Sequence, residues 1–208
     1  MHAGTTSDMF LRKKLPWLSF ASNWVKFSTT AALGVIHKGY FEEGMNILGP
    51  YLPQVGGESQ IPGAAYSEGG ALYALGLINA GCGSGQPVED YLRETMKTPQ
   101  GEVVQHGAAL GLGIAGKGGR SSDSYDRRRF FTDFSVAGEA AGYAMGLVML
   151  GSADPTCTEE MLTYAKETHH EKIIRSLAMG LAFFFYGRQE EADSTIASLL
   201  AEKASDLL

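Results

Sequence analysis

The stretch GLGIAGKGG, residues 111–119, holds the residue types that bind phosphate. Gly111, Gly113 and Gly116 spell G-x-G-x-x-G; Gly111, Gly116 and Lys117 spell G-x-x-x-x-G-K. Both patterns work by presenting glycine backbone N–H groups to a phosphate where a strand turns into a helix. A P-loop also needs Ser or Thr after the lysine to hold magnesium. Gly118 stands there instead. The preceding EVVQHGAAL starts like a short strand but ends in Ala-rich text that reads as helix, so the strand–turn–helix setting is missing.

Other reactive residues are as isolated. HEKII (170–174) opens like H-E-x-x-H, but Ile174 holds the second histidine position, and one ligand does not make a zinc site. His169 and His170 are adjacent and do not share a helix face. His37 and His106 fall on apolar helical text, where a hydrogen-bonded core or interface histidine is expected. YDRRRFF (125–131) sets Arg127, Arg128 and Arg129 among aromatics, while Asp123, Asp126 and Asp133 dilute its charge; it reads as an exposed helix face. No G-x-S-x-G is present, and no Ser/His/Asp or Cys/His arrangement stands out. No catalytic, metal-binding or cofactor-binding residue is assigned, and no enzyme is expected.

Composition points the same way. The 208 residues carry 17 basic and 23 acidic side chains, a balance that disfavours a dominant nucleic-acid surface. Hydrophobic residues make up 44%, enough for a core. Cys82 and Cys157 lie far apart without a C-x-x-C partner, as expected of thiols in a reducing compartment. The most apolar run, 140–153, is too short to span a bilayer, and Pro16, Ser19, Ser22 and Asn23 interrupt any signal-like segment. A soluble intracellular chain is expected.

Glycine is over-represented, with 27 in 208 residues, about twice the usual share. Its positions repeat. AALGVIHKG (31–39), YALGLINAG (73–81), AALGLGIAG (108–116), YAMGLVMLG (143–151) and LAMGLAFFFYG (177–187) align on Gly34, Gly76, Gly111, Gly146 and Gly180. A second glycine follows at Gly39, Gly81, Gly116, Gly151 and, two residues later than in the others, Gly187. The period is 34 to 42 residues, which marks a repeat architecture.

Each unit reads as two helices. The first is apolar nearly all round and should be buried, ending at the second glycine. The second is more polar, as in FEEGMNIL (41–48), VEDYLRETM (88–96), SYDRRRFFTDF (124–134), EEMLTYAKET (159–168) and EEADSTIASLLAEK (190–203). Pro155 and Thr156 with Glu159 suggest a capping-box start in the fourth unit. The long connection is the Gly/Pro-rich stretch 52–70. Strand alternation is absent from the text, so the expected fold is all-α: an α-α solenoid of stacked helix-turn-helix units. The five units are placed at 23–54, 66–98, 103–134, 136–168 and 171–203.

A glycine inside a helix costs about 1 kcal/mol relative to alanine. Five anchors amount to roughly 5 kcal/mol, as much as the whole stability of many domains. Close helix approach is the expected compensation, because a missing Cβ lets a neighbouring backbone come near. The alanines around the anchors, such as Ala32, Ala74, Ala108, Ala144 and Ala178, fit an inner layer of tightly packed helices.

These repeats resemble the proteasome/cyclosome (PC) repeat. Residues 20–53, GGALYALGLINAG (69–81) and SLAMGLAFFFYGRQEEAD (176–193) narrow the resemblance to scaffold subunits in the base of the proteasome regulatory particle, and LGVIHKG favours the larger type over its sibling or the cyclosome scaffold. The resemblance implies a toroid of PC repeats in two helical layers, without catalysis. It implies partners among the ATPase ring, the lid and ubiquitin receptors, in cytoplasm and nucleus. The alternatives it leaves are PC modules that bind ubiquitin-like domains or ligase subunits. With about five units the chain looks like a fragment of a longer subunit, beginning inside the helix that precedes the first complete repeat, and self-association through its exposed solenoid ends is expected. A nucleotide-binding enzyme remains the remote alternative.

Overall fold

The computed structural model describes residues 2–13, 20–53, 62–82, 87–97, 101–119, 132 and 134–205. The described residues form ten α-helices and two short 3-10 turns, and no strand occurs among them. In chain order the α-helices are α1 (Met9–Lys13), α2 (Trp24–Ile36), α3 (Phe41–Leu48), α4 (Ala64–Ile78) and α5 (Pro87–Lys97). They continue with α6 (Glu102–Ala115), α7 (Ser135–Val148), α8 (Pro155–Glu167), α9 (Glu171–Phe184) and α10 (Asp193–Ser205).

The helices sort into two layers, as their side chains require. Helices α2, α4, α6, α7 and α9 pack side by side in that order and form an inner ribbon. They are rich in Ala and Gly, and the three in the middle are flanked by an inner helix on both sides; α4 alone buries Gly69, Gly70, Ala71, Leu72, Ala74, Leu75, Gly76 and Ile78. Helices α3, α5 and α8 lie outside, each chiefly on the inner helix of the following unit: α3 on α4, α5 on α6, α8 on α9. These outer helices are amphipathic. Helix α5 buries Glu89, Leu92 and Thr95 at helical spacing and exposes Asp90 and Glu94; α8 buries Cys157, Thr158 and Met161. Fully buried Leu72, Leu75, Ile78, Leu92, Ile173 and Leu177 tie the layers into one continuous core, each contributing about 1.5–3 kcal/mol of transfer free energy. The fold is an α-α solenoid of helix-turn-helix units.

Three local expectations are corrected. The stretch 52–70 is not all connection, because α4 begins at Ala64 and its first turns include Gly69 and Gly70. Glycine is there for packing: an added Cβ on Gly69 would run into the Val103 carbonyl oxygen, and one on Gly70 into that of Phe27. The strand-like start of EVVQHGAAL is helical from Glu102. Helix α8 is capped by Asp154, whose carboxylate accepts from the Cys157 N–H at 2.7 Å, with Pro155 as the first helical residue. A proline there leaves no donor unsatisfied, and the carboxylate suits the positive end of the helix dipole.

The last unit's outer segment splits into a 3-10 turn, Gln189–Ala192, followed by α10. YDRRRFF and most of the expected third outer helix, 124–134, lie outside the described residues. Among the described residues no helix is long and apolar enough to cross a membrane.

Candidate functional site: the interhelical seam and its turns

The repeated glycines occupy two kinds of place, the flanks where inner helices meet and the turns that end them. On the flanks a Cβ has no room. One added to Gly34 would lie 2.5 Å from the Cα of Ala74. One on Gly76 would collide with the backbone of Gly111, and one on Gly146 with that of Gly180; on Gly113 it would lie 2.6 Å from the Cα of Ala144. The reverse approaches are as close: a Cβ added to Gly111 would lie 2.5 Å from the Leu72 carbonyl oxygen, and one on Gly180 2.6 Å from that of Gly142. At each flank the obstacle is backbone, which cannot rotate away.

These contacts define the register of the repeat. Gly34, Gly76, Gly113 and Gly146 each face the following helix, at Ala74, Gly111, Ala144 and Gly180 respectively. Each residue faced lies two positions before the next unit's own forward-facing residue. In the fifth unit that forward position falls on Ala182. The alignment on Gly111 and Gly180 is therefore shifted by two residues in the third and fifth units. Gly111 and Gly180 are seam residues, but they face backwards, and Gly113 is the third unit's forward residue.

The turns show the same shift. Gly39, Gly81, Gly118, Gly151 and Gly187 have positive φ, of 86°, 90°, 72°, 64° and 77°. Each stands two residues after the helix C-cap, which is His37, Asn79, Gly116, Met149 or Phe185. Gly116 is thus the third unit's C-cap, with an ordinary φ of −83°, and Gly118 does what Gly39 does elsewhere. A positive φ suits glycine because it has no Cβ to clash. It also points the N–H at the next unit: Gly39 donates to the Ile78 carbonyl at 3.0 Å, Gly118 to Leu147 at 3.1 Å and Gly151 to Phe183 at 3.0 Å. Each acceptor is a carbonyl in the last turn of a helix, which lacks a partner within that helix. The turn of one unit so finishes the inner helix of the next. Arg188 reinforces one joint, its Nε donating to the Gly151 carbonyl at 2.8 Å.

This geometry removes the phosphate-binding reading of residues 111–119. Gly111 and Gly113 lie inside α6, and the Gly116, Gly118 and Gly119 N–H groups donate to Leu112, Leu147 and Gly116. The glycine run ends a helix instead of starting one, so it sits at the negative end of the dipole, which repels anions.

Three of the histidines sit at packing or helix-end positions. His106, on α6, has its Nδ1 2.7 Å from the Val136 carbonyl, an oxygen that can only accept, so Nδ1 carries the proton. Its ring packs edge-on against Trp24 and Phe27, and Trp24 also meets Tyr66. Burial lowers the His106 pKa below the usual value, partly opposed by the Val136 bond and Glu139. His37 is the α2 C-cap and not an interior helix residue; it is buried with Nε2 3.3 Å from Asp8. His170 is the N-cap of α9, and His169 is exposed beside it. Neither Cys82 nor Cys157 is in a disulfide. Among the described residues no group of three or more His, Cys, Asp or Glu side chains is placed to hold a metal.

A site made of backbone contacts and turn hydrogen bonds defines a stacking protein, in which one helical pair recognises the next. The model of the proteasome/cyclosome repeat matches residues 140–174. Over nearly all its length it is similar to proteasome subunits. It is 52% identical over 205 residues to the 26S proteasome non-ATPase regulatory subunit 1 homolog B of Arabidopsis thaliana, covering 98% of this chain and 20% of that one. It is 52% identical over 201 residues to the 26S proteasome regulatory subunit rpn2 of Schizosaccharomyces pombe, covering 96% and 20%. With the 26S proteasome non-ATPase regulatory subunit 1 of Drosophila melanogaster the identity is 49% over 205 residues, covering 98% and 20%. The chain spans about a fifth of the length of these relatives.

Proposed function

We propose that the chain is a non-catalytic scaffold module of the proteasome regulatory particle, built from five PC units near 23–54, 66–98, 103–134, 136–168 and 171–203. The observation that carries this reading is the seam. Forward- and backward-facing small residues and positive-φ turns lock successive inner helices at backbone contact, and relatives about half identical to this chain are named as regulatory subunits of the 26S proteasome, those of Arabidopsis thaliana and Drosophila melanogaster as non-ATPase ones. Helices held so rigidly form a platform. Its partners are other regulatory-particle subunits, among them the ATPase ring, the lid and ubiquitin receptors, in cytoplasm and nucleus. The chain supports assembly and ubiquitin-dependent degradation without acting on substrate.

Affinity purification of the full-length chain tests this. ATPase and lid subunits are expected at stoichiometric levels, and their absence would refute the reading. The isolated 208-residue chain is expected to self-associate through the open face of α9, where Ile174, Ala178, Met179 and Ala182 are exposed, with Tyr186 exposed in the turn that follows. Light scattering should show a mass that rises with concentration, and Met179→Glu should suppress the rise. A constant monomer mass would contradict the expectation.

A further inference from the structure

Three of the four joints between successive inner helices are crossed by hydrogen bonds. Between the first and second units the Gly39 N–H donates to the Ile78 carbonyl at 3.0 Å, and Lys26 Nζ donates to that of Pro62 at 3.1 Å. Between the third and fourth, Gly118 donates to Leu147 at 3.1 Å, and α6 grips the first turn of α7 on both sides. There the Val136 carbonyl accepts from His106 Nδ1 at 2.7 Å, and the Val136 N–H donates to the Glu102 carboxylate at 3.4 Å. Between the fourth and fifth, Gly151 and Ala153 donate to Phe183 and Phe184 at 3.0 and 3.1 Å, and Arg188 Nε donates to the Gly151 carbonyl at 2.8 Å. The joint between the second and third units has no such bond. Among the described residues, no hydrogen bond links 62–82 with 101–119. Gly81 has the turn conformation of its counterparts, with φ 90°, but its N–H finds no carbonyl in the last turn of α6.

Contact alone holds α4 to α6. Glycine faces glycine at both ends of the flank: a Cβ on Gly107 would strike the Gly69 backbone, and one on Gly76 that of Gly111. Backbone against backbone resists compression. At these points no side chain of one helix is keyed between side chains of the other, so rotation about the contact is weakly opposed. The two ends of the joint differ. Near the helix N-termini the His106 ring of α6 meets Trp24 and Phe27 of α2, with centroids 5.2 and 5.6 Å apart. Gly69 makes room for this, since a Cβ there would lie 3.1 Å from the Phe27 ring. Trp24 and Phe27 pack in turn on Tyr66 and Tyr73 of α4. These rings pin the N-terminal ends of three inner helices together. At the C-terminal ends, Gly81 and the turn after α6 have no equivalent link among the described residues.

We infer that the ribbon has a hinge between its second and third units. The units on either side move as two bodies that pivot near His106, so the C-terminal ends of α4 and α6 part while their N-terminal ends stay together. The inference rests on the repeat reading above and goes beyond it, because it concerns how the platform bends and not what it carries. The bonded joints keep their angles. Surfaces on each side of the hinge therefore keep their shape while the angle between them changes.

Nitroxide labels in the unit turns test this. Lys38, Lys117 and Tyr186 are exposed and hold the same turn position in the first, third and fifth units. Lys38→Cys with Lys117→Cys spans two joints, one of them the unbonded joint; Lys117→Cys with Tyr186→Cys spans two bonded ones. The background is Cys82→Ser, with Cys157 shielded by complete burial. Labelled chain is diluted in unlabelled chain, so that only distances within one chain are read. Pulsed dipolar EPR should give a distance distribution broader for the first pair than for the second by about 2 Å, the size of helix shifts at mobile interfaces. A pair across the same joint at the N-terminal ends, Pro62→Cys with Gly101→Cys, should be as narrow as the bonded pair. Gly119 follows the turn glycine of the third unit as Arg188 follows that of the fifth. Gly119→Arg therefore offers the Gly81 carbonyl the bond that Arg188 gives Gly151, and should narrow the first distribution; Gly119→Glu, which has no donor, should not. Equal widths for the two turn pairs, an N-terminal pair as broad as the first, or a breadth that both Gly119 variants leave alike would overturn the inference. Purification of the full-length chain with proteasome subunits does not depend on this outcome, so the two readings fail separately.

Discussion

Gly146→Ala sets two known effects against each other. By helix propensity alone the change stabilises α7 by about 1 kcal/mol. The structure reverses the sign. The new methyl would overlap the Gly180 Cα and lie 2.9 Å from both the Gly180 carbonyl oxygen and the Phe183 ring. Phe183 can turn aside, but the Gly180 backbone is part of α9, which is held by fully buried Ile173, Leu177 and Phe184. Ordinary carbon contact needs about 3.5–4 Å, so α7 and α9 must separate by on the order of 1 Å along their flank. Overpacking of a dense core costs typically 1–3 kcal/mol, occasionally more. With rigid backbone on both sides the upper part of that range applies, which leaves a net loss of about 2 kcal/mol. In a chain of this size that corresponds to a Tm lower by roughly 4–8 °C. Thermal and urea unfolding read it directly. If Gly146→Ala instead stabilises by about the 1 kcal/mol of its propensity gain, close approach is not the reason for the seam glycines.

The register of the third unit predicts that Gly118→Ala, at φ 72° with open space around it, loses about 1–2 kcal/mol in urea unfolding. Gly116→Ala, at φ −83°, should lose clearly less, and the opposite order would restore the alignment on Gly111 and Gly116. Asp154→Ala removes the α8 cap and should cost about 1 kcal/mol, with Asp154→Asn retaining most of it. Burial makes His106 harder to protonate in the fold, so the unfolded chain binds more protons once pH drops toward its ordinary value of 6.5. Its contribution is therefore complete above about 6.5 and lost as pH falls below that. Tm measured across this range should fall more steeply in the parent chain than in His106→Gln, and parallel profiles would refute the assignment.

Helix pairing and layer assignment were legible because they depend on local text. Ala/Gly-rich helices alternate with polar ones at a period near 35 residues, and only burial of the first kind against its neighbours makes that pattern stable. The register was not legible in the third unit. LGLGIAGKG (110–118) contains glycines two residues apart at both the flank and the turn, so either pair satisfies the motif. What separates them is which glycine faces α7 and which residue takes positive φ, and both depend on a neighbouring helix. The same ambiguity hid the start of α4, where Gly69 and Gly70 have the composition of a loop and the role of a seam.

By itself the sequence determined that this chain is helical, repetitive and stacked, since periodicity and residue size act within one helix and against any similar neighbour. Only the tertiary structure decided which glycine does which task. A missing Cβ means one thing facing a backbone 2.5 Å away, as Gly34 faces Ala74, and another in a turn at φ 86°, as at Gly39. Glycine has no side chain to reveal its surroundings, so its reason for being there lies in the neighbour that the fold supplies.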